Sequence, residues 1–207
     1  MPVDAAVIEN IFRREFSRRD GLAATSAHAS EKNEKVWWKS LVRDVFGEAT
    51  ELRNFDAFFD DLYDLFARAE AWKLYPEVLD VLRELKEKQL ILGIISNWDS
   101  RLLSICQGMN LDRCFDFILA SAVVGSAKPD PGIFREALRR SEVEPHEALH
   151  VGDSVENDFW GAQRAGIHAL LVNRSGRVIE NAATIPSLAE IADYIEGHFA
   201  HPEKRGL

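Results

Sequence analysis

An α/β fold is predicted: a Rossmann-like parallel sheet with helices on both faces, and an α-helical region ahead of it. Three observations carry this. Residues 90–95 run apolar without alternation, as a strand covered on both faces does, and 117–120, 148–151 (His150 apart) and 169–172 are shorter apolar runs. Helical segments separate these runs, and strands alternating with helices imply right-handed crossovers and a parallel sheet. Before residue 72 the apolar residues recur at intervals of three and four, with no convincing strand. The expected division is a helical domain over 1–71, an α/β core over 72–200 and a loose polar tail over 201–207.

Each element has a local reason. Val7, Ile8, Ile11, Phe12 and Phe16 form one face of a first amphipathic helix. The polar stretch from Arg18 through Ser30 reads as a loop or a helix start. Val36, Trp37, Leu41, Val42, Val45 and Phe46 mark a second helix, with Gly47 as its expected stop. Asn54 is placed to cap a third, whose seam of Phe55, Phe58, Phe59, Leu62, Leu65 and Phe66 reads as helix packing more readily than as an aromatic substrate box. Pro76 suits the first turn of a helix carrying Val78, Leu79, Leu82 and Leu85. The first apolar run stops at Ser96-Asn97-Trp98-Asp99, and a helix over about 101–109 follows. Pro131 starts the helix of Ile133, Phe134, Ala137 and Leu138. Ser187 and Glu190, at capping-box spacing, open the last helix.

Bulk properties exclude some functions. The 207 residues carry a formal charge of −9, and no basic stripe relieves it, which argues against non-specific binding to nucleic acid or anionic membrane. No apolar run is long enough to cross a bilayer, and residues 1–6 show no secretory signal. Cys106 and Cys114 are the two cysteines. Their number and spacing suit neither a disulfide framework nor a zinc site, so they are expected to be apolar fillers in a reducing cytoplasm.

The chemistry concentrates in residues 148–162. An apolar run halts at Gly152, Asp153 follows directly, Asp158 comes five positions later, and the chain resumes as Phe159-Trp160-Gly161-Ala162. Carboxyl ends of strands in open parallel sheets are where ligands bind. Two carboxylates there suit Mg²⁺, which takes one or two protein carboxylates and fills its other positions with water and phosphate. An Asp capping the next helix, beside an exposed Asp, is the other open reading. His150 reads as a hydrogen-bonded core histidine. Trp98 and Trp160 either line a pocket mouth or pack at a junction, and packing is the preferred reading.

Ser96-Asn97 after the first strand, Lys128 in a Lys-Pro-Asp-Pro turn, and Gly152-Asp153-Ser154-Val155-Glu156-Asn157-Asp158 occur in this order at strand ends. The set resembles the haloacid dehalogenase-like hydrolase superfamily, in particular its members with a helical cap. By that resemblance Ser96 is the strand-end hydroxyl, Lys128 the lysine ahead of a helix, and Asp153 and Asp158 the acidic loop that holds Mg²⁺. The resemblance implies that Ser96 and the amide of Asn97 hold phosphate oxygens while Lys128 offsets negative charge. It implies a phosphatase of a small phosphorylated metabolite, since the Lys and paired Asp pattern suits metal-assisted phosphoryl transfer better than dehalogenation.

The family's first motif, a strand ending in the Asp nucleophile, has no match in this sequence. Asp4 has no apolar strand before it and reads as a helix N-cap. The resemblance places the missing strand centrally, between the strands ending at Ser96 and Gly152. Two expectations follow: the sequence starts at an internal Met of a longer protein, or a partner or second copy fills the gap. A catalytically inactive scaffold that acts in binding or assembly is the alternative function.

Overall fold

The computed structural model describes residues 4–19, 30–50 and 52–199. Most of the stretch expected to be a loop before Ser30, and the tail 201–207, lie outside these residues. Helices α1 (Ala5–Arg18), α2 (Glu31–Ala49) and α3 (Phe55–Leu65) form the helical part. Ile11, Leu41 and Val45 are its buried centre, with Phe12, Phe16, Trp37, Trp38 and Phe46 packed around them. Asp4 caps α1 by accepting from the amide of Ala6 at 2.9 Å. Two local expectations are corrected. Gly47 does not stop α2, which runs on to Ala49; its backbone does not take the left-handed conformation that ends a helix. Asn54 precedes α3 but makes no side-chain cap bond.

In the α/β part, α4 (Val78–Glu87) leads to β1 (Gly93–Ser96), α5 (Arg101–Gly108), β2 (Phe117–Ala120), a short α6 (Ser121–Val124) and α7 (Pro131–Ser141). Then come β3 (Leu149–Gly152), one wide π-helical segment (Val155–Trp160), α8 (Gly161–Arg164), β4 (His168–Val172), β5 (Thr184–Ile185) and α9 (Ile191–Phe199). Pro76 lies two residues ahead of α4 rather than in its first turn. Ser187 caps a short 3₁₀ turn through the amide of Ala189, one residue short of the expected Glu190.

All strand pairs are parallel, in two sheets: β1 with β2, and β3-β4-β5. Among the described residues no strand joins β1 to β3. The consequence is visible in burial. Ala169, Leu170 and Leu171 of β4 are buried, whereas every residue of β1 and β3 is partly or fully exposed, contrary to the expectation of strands covered on both sides. A cavity of about 450 Å³ lies between them, lined by Gly93 and Ile95 on one side and Leu149 and Val151 on the other. The two core clusters lie on opposite faces, and each spans both sheets: Ile95, Leu119, Ala169 and Leu171 pack with α7 on one, and Leu92, Leu149, Val151 and Leu170 pack with α4 and α9 on the other.

Polar bonds fasten the helical part to the α/β part. Ser121 Oγ donates to Glu34 Oε1 at 3.0 Å, and the amide of Ser100 donates to Glu31 Oε1 at 2.8 Å. Tyr63 donates its hydroxyl to Asp99 Oδ2 at 2.6 Å, and Arg101 grips the same carboxylate with Nε and Nη2 while its Nη1 reaches the carbonyl of Tyr63. Asp99 is fully buried. Burial opposes its ionisation, yet Arg101 and Tyr63 outweigh that and hold its carboxyl below the usual range. Glu34 has only a hydroxyl for company, and burial, reinforced by Asp99 and Glu31, pushes its carboxyl up to about 7.

A raised carboxyl pKa stabilises the fold fully below the ordinary value of 4.5 and loses that contribution as pH climbs to about 7. The urea midpoint of the wild-type protein is therefore expected to fall across that window, and Glu34→Gln is expected to flatten the fall. Parallel pH profiles for the two proteins would contradict the assignment.

Candidate active site

Four segments meet at the carboxyl ends of β1 and β3. Ser96 ends β1, in register with Ala120 of β2. Asn97 then clamps the main chain of Lys128 from both sides: its Nδ2 donates to the Lys128 carbonyl at 2.8 Å, and the Lys128 amide donates to its Oδ1 at 2.7 Å. Asp130 finishes the turn as the cap of α7, accepting from the amide of Gly132 at 2.7 Å and from Ser126 Oγ at 2.8 Å. Held in this way, Lys128 reaches across the gap and places Nζ 2.5 Å from Asp158 Oδ1.

Asp158 is the hub. His150 Nε2 lies 3.0 Å from Oδ1, and the amides of Asp153 and Ser154 donate to Oδ2 at 3.1 and 2.9 Å. The backbone brings these groups together because Gly152 has no side chain: a Cβ there would stand 2.2 Å from Asp158 Cγ. Ser154 caps the π-helical segment through the amide of Asn157, which aims Asp158 back at the strand end. Burial disfavours the Asp158 carboxylate, but the His150 hydrogen bond and the Lys128 charge together hold it well below the usual range. His150 is driven the other way, chiefly by burial and further by Lys128, against the pull of Asp158. Its imidazole is thereby neutral at pH 7 and donates through Nε2.

The five residues singled out from the sequence fall into two groups. Asn97, Lys128 and Asp158 are bonded into one network, with Ser96 at its edge. Asp153 contributes its amide to that network, while its carboxylate is exposed and contacts no other group among the described residues. The paired-carboxylate reading is changed by this. Both oxygens of Asp158 are already taken by protein donors, which leaves Asp153 as the free carboxylate of the pair. No set of three acidic, His or Cys side chains gathers around a common point among the described residues. The residues thus fit Mg²⁺ as a partial shell, one carboxylate with the remainder left to water and phosphate. His150 joins the site rather than serving only the core, although it also packs edge-on against Phe134. Trp98 packs against Trp72 and also lines an apolar cavity with Phe59, Tyr63 and Phe66, while Trp160 packs against Phe159.

The family model for haloacid dehalogenase-like hydrolases matches residues 3–166. The chain belongs to the haloacid dehalogenase-like hydrolase family. The chain is 35% identical over 172 residues to haloacid dehalogenase-like hydrolase domain-containing protein 3 of Mus musculus, covering 82% of this chain and 68% of that one. It is 34% identical over 158 residues to a phosphoserine phosphatase of Thermus thermophilus, covering 76% and 61%. Among solved structures, a HAD phosphatase from Thermococcus onnurineus superposes with a TM-score of 0.68 at 25% identity, over 91% of this chain and 79% of that one.

Two substitutions test the hub. Asp158→Asn leaves the nearly buried Lys128 ammonium without its counter-charge and is expected to cost about 3–5 kcal/mol in urea unfolding. Adding Lys128→Met is expected to restore most of that loss; a double variant as unstable as the sum of the singles would show the pair to be uncoupled. Gly152→Ala is expected to cost about 1–3 kcal/mol by forcing the Asp158 carboxylate from its place, and an unchanged melting temperature would contradict the close approach.

Proposed function

We propose that this hydrolase is a Mg²⁺-dependent phosphatase of a small phosphorylated metabolite, and that these 207 residues supply its phosphate- and metal-binding half. The observation that carries the proposal is the Lys128 ammonium, only 12% exposed and fixed at the strand end by Asn97 and Asp158. Phosphoryl transfer demands positioning and charge stabilisation above all, and a rigid ammonium beside a strand-end hydroxyl serves both. In this reading Ser96 Oγ and the Asn97 amide donate to phosphate oxygens, and Lys128 offsets the charge that gathers there. Asp153 holds the metal, which when bound would neutralise phosphate charge. Asp158 is a positioning residue: it fixes Lys128 from one side and the Asp153–Ser154 backbone from the other. The likeness to a phosphoserine phosphatase supports a phosphate ester as substrate.

The acid nucleophile is the part not assigned. Asp158 is saturated with donors, and Asp153 is given to the metal, so neither is free to attack phosphorus. This same fact favours the second reading, a scaffold without catalysis of its own.

With Mg²⁺ and p-nitrophenyl phosphate, the 207-residue chain is expected to show background turnover. It is expected to bind inorganic phosphate in a calorimeter, with binding lost in Ser96→Ala and Lys128→Met. Metal-dependent turnover abolished by Asp153→Ala would overturn the reading that these residues lack a nucleophile. Phosphate binding indifferent to Ser96 and Lys128 would overturn the site.

A further inference from the structure

The seam between α2 and α6 buries an acid that lacks the partners a charge needs. Glu34 is only 1% exposed, and it faces Ser121, the fully buried first residue of α6. Glu34 Oε1 accepts from Ser121 Oγ at 3.0 Å, while Oε2 is buried with no hydrogen-bond partner among the described residues. The same hydroxyl holds the main chain of Trp98: it accepts from the Trp98 amide at 3.0 Å and lies 3.2 Å from the Trp98 carbonyl. Ser121 thus has one hydrogen and two acceptors in reach. With Glu34 ionised, that hydrogen is drawn to the carboxylate, and Oε2 stays bare in a dry seam, which is costly. With Glu34 neutral, the acid donates to Ser121 Oγ and the Ser121 hydrogen turns to the Trp98 carbonyl, so both side-chain hydrogens find acceptors. The charged groups around Glu34 supply no counter-ion. In the segment after β1, Asp99 is ionised and Arg101 is spent on it through Nε and Nη2. On α2 itself, Glu31 is a further acid bonded to the Ser100 amide, and Lys35 pairs with Asp60. On α3, Tyr63 donates to Asp99, and burial together with that carboxylate raises its hydroxyl above the ordinary phenol range. The helix α6 carries no charge.

We propose that Glu34 is a proton-controlled latch: as a neutral acid it closes α2 onto Ser121 of α6, and its ionisation releases α2 while Asp99, Arg101 and Tyr63 keep α3 attached as the pivot. Release leaves both cores whole, because the buried centre of the helical part, Ile11, Leu41 and Val45, shares no residue with the two clusters of the α/β part. Water then solvates the oxygen that the seam leaves bare. The direction follows from the acid's two environments. In the closed seam burial, with Asp99 and Glu31 adding to it, holds the carboxyl at about 7, and in water it returns to its ordinary 4.5. The closed form is therefore favoured most at low pH, and the ratio of closed to released forms is expected to fall about a hundredfold between about pH 5 and about pH 8. Ser121 carries the event to the strand end, since it grips the main chain of Trp98 two residues beyond Ser96. The latch stands or falls independently of phosphatase activity.

The test reads the α2–α6 distance in the 207-residue chain. Nitroxide labels are placed at Val36→Cys on α2 and Val123→Cys on α6, both more than half exposed, with the partly exposed Cys114 changed to Ser and the buried Cys106 kept. By pulsed electron paramagnetic resonance, the short distance is expected to dominate at about pH 5, and the ratio of short to long distances to fall about tenfold or more at about pH 8, with the far-ultraviolet circular dichroism unchanged. Glu34→Gln, whose neutral amide still donates to Ser121, is expected to keep the short distance at both pH values. A distance indifferent to pH would overturn the latch. So would the same lengthening in Glu34→Gln, which would assign it to another group, or lengthening accompanied by loss of helical signal, which is unfolding. If Glu34→Gln does not fold, the side-chain carboxyl ¹³C titration of Glu34 in the otherwise unchanged labelled protein decides: a midpoint that tracks the distance supports the latch, and one at the ordinary 4.5 contradicts it.

Discussion

The Asp158 carboxylate is the constraint on which the site depends. It is nearly buried, and such a charge is tolerable only when every lone pair is met. Lys128, His150 and the amides of Asp153 and Ser154 meet them, and these donors come from three parts of the chain. The turn after α6, strand β3 and the loop after β3 are therefore fixed relative to one another by one carboxylate. Asn97 extends the same fixation to the end of β1 through the backbone of Lys128. With no β1–β3 ladder among the described residues, these polar bonds at the strand ends link the two sheets where strand pairing does not.

A second buried carboxylate, Asp99, does for the helical part what Asp158 does for the strand ends. Arg101 and Tyr63 neutralise it by hydrogen bonding, and through Tyr63 it ties α3 to the segment that follows β1. Glu34 shows the opposite solution. With Ser121 as its one hydrogen-bond partner it keeps its proton toward neutrality, so one junction holds both an ionised and a protonated acid. The junction starts two residues beyond Asn97, so the attachment of the helical part and the strand-end site share a segment of chain.

Sequence pattern made the α/β class legible because uninterrupted apolar runs and helical periodicity report burial directly. Strand ends and turn chemistry, together with the family resemblance, singled out Ser96, Asn97, Lys128, Asp153 and Asp158, and the fold brings their segments together. Sequence pattern did not separate Asp153 from Asp158. Spacing alone gives two acids in one loop, and only the fold reveals that the second is consumed by Lys128 and His150. Asp99, Arg101, Tyr63 and Glu34 were illegible for a related reason. Their partners lie 36 to 87 positions away, apart from the local Asp99–Arg101 pair. Charged residues in a polar loop or on a helix carry no mark of such distant pairing. The two-residue strand β5 and the short α6 fall below the length at which periodicity speaks.

The central claim, that a single ionised Asp158 organises the site, is tested most directly by following its side-chain carboxyl ¹³C shift during an acid titration of the intact protein. The expected result is a shift that stays at its ionised value throughout the range in which exposed Asp residues protonate, changing only when the protein unfolds. A reversible midpoint near the ordinary carboxylate value in the folded protein would contradict it, because a carboxylate held by Lys128, His150 and two amides does not protonate there.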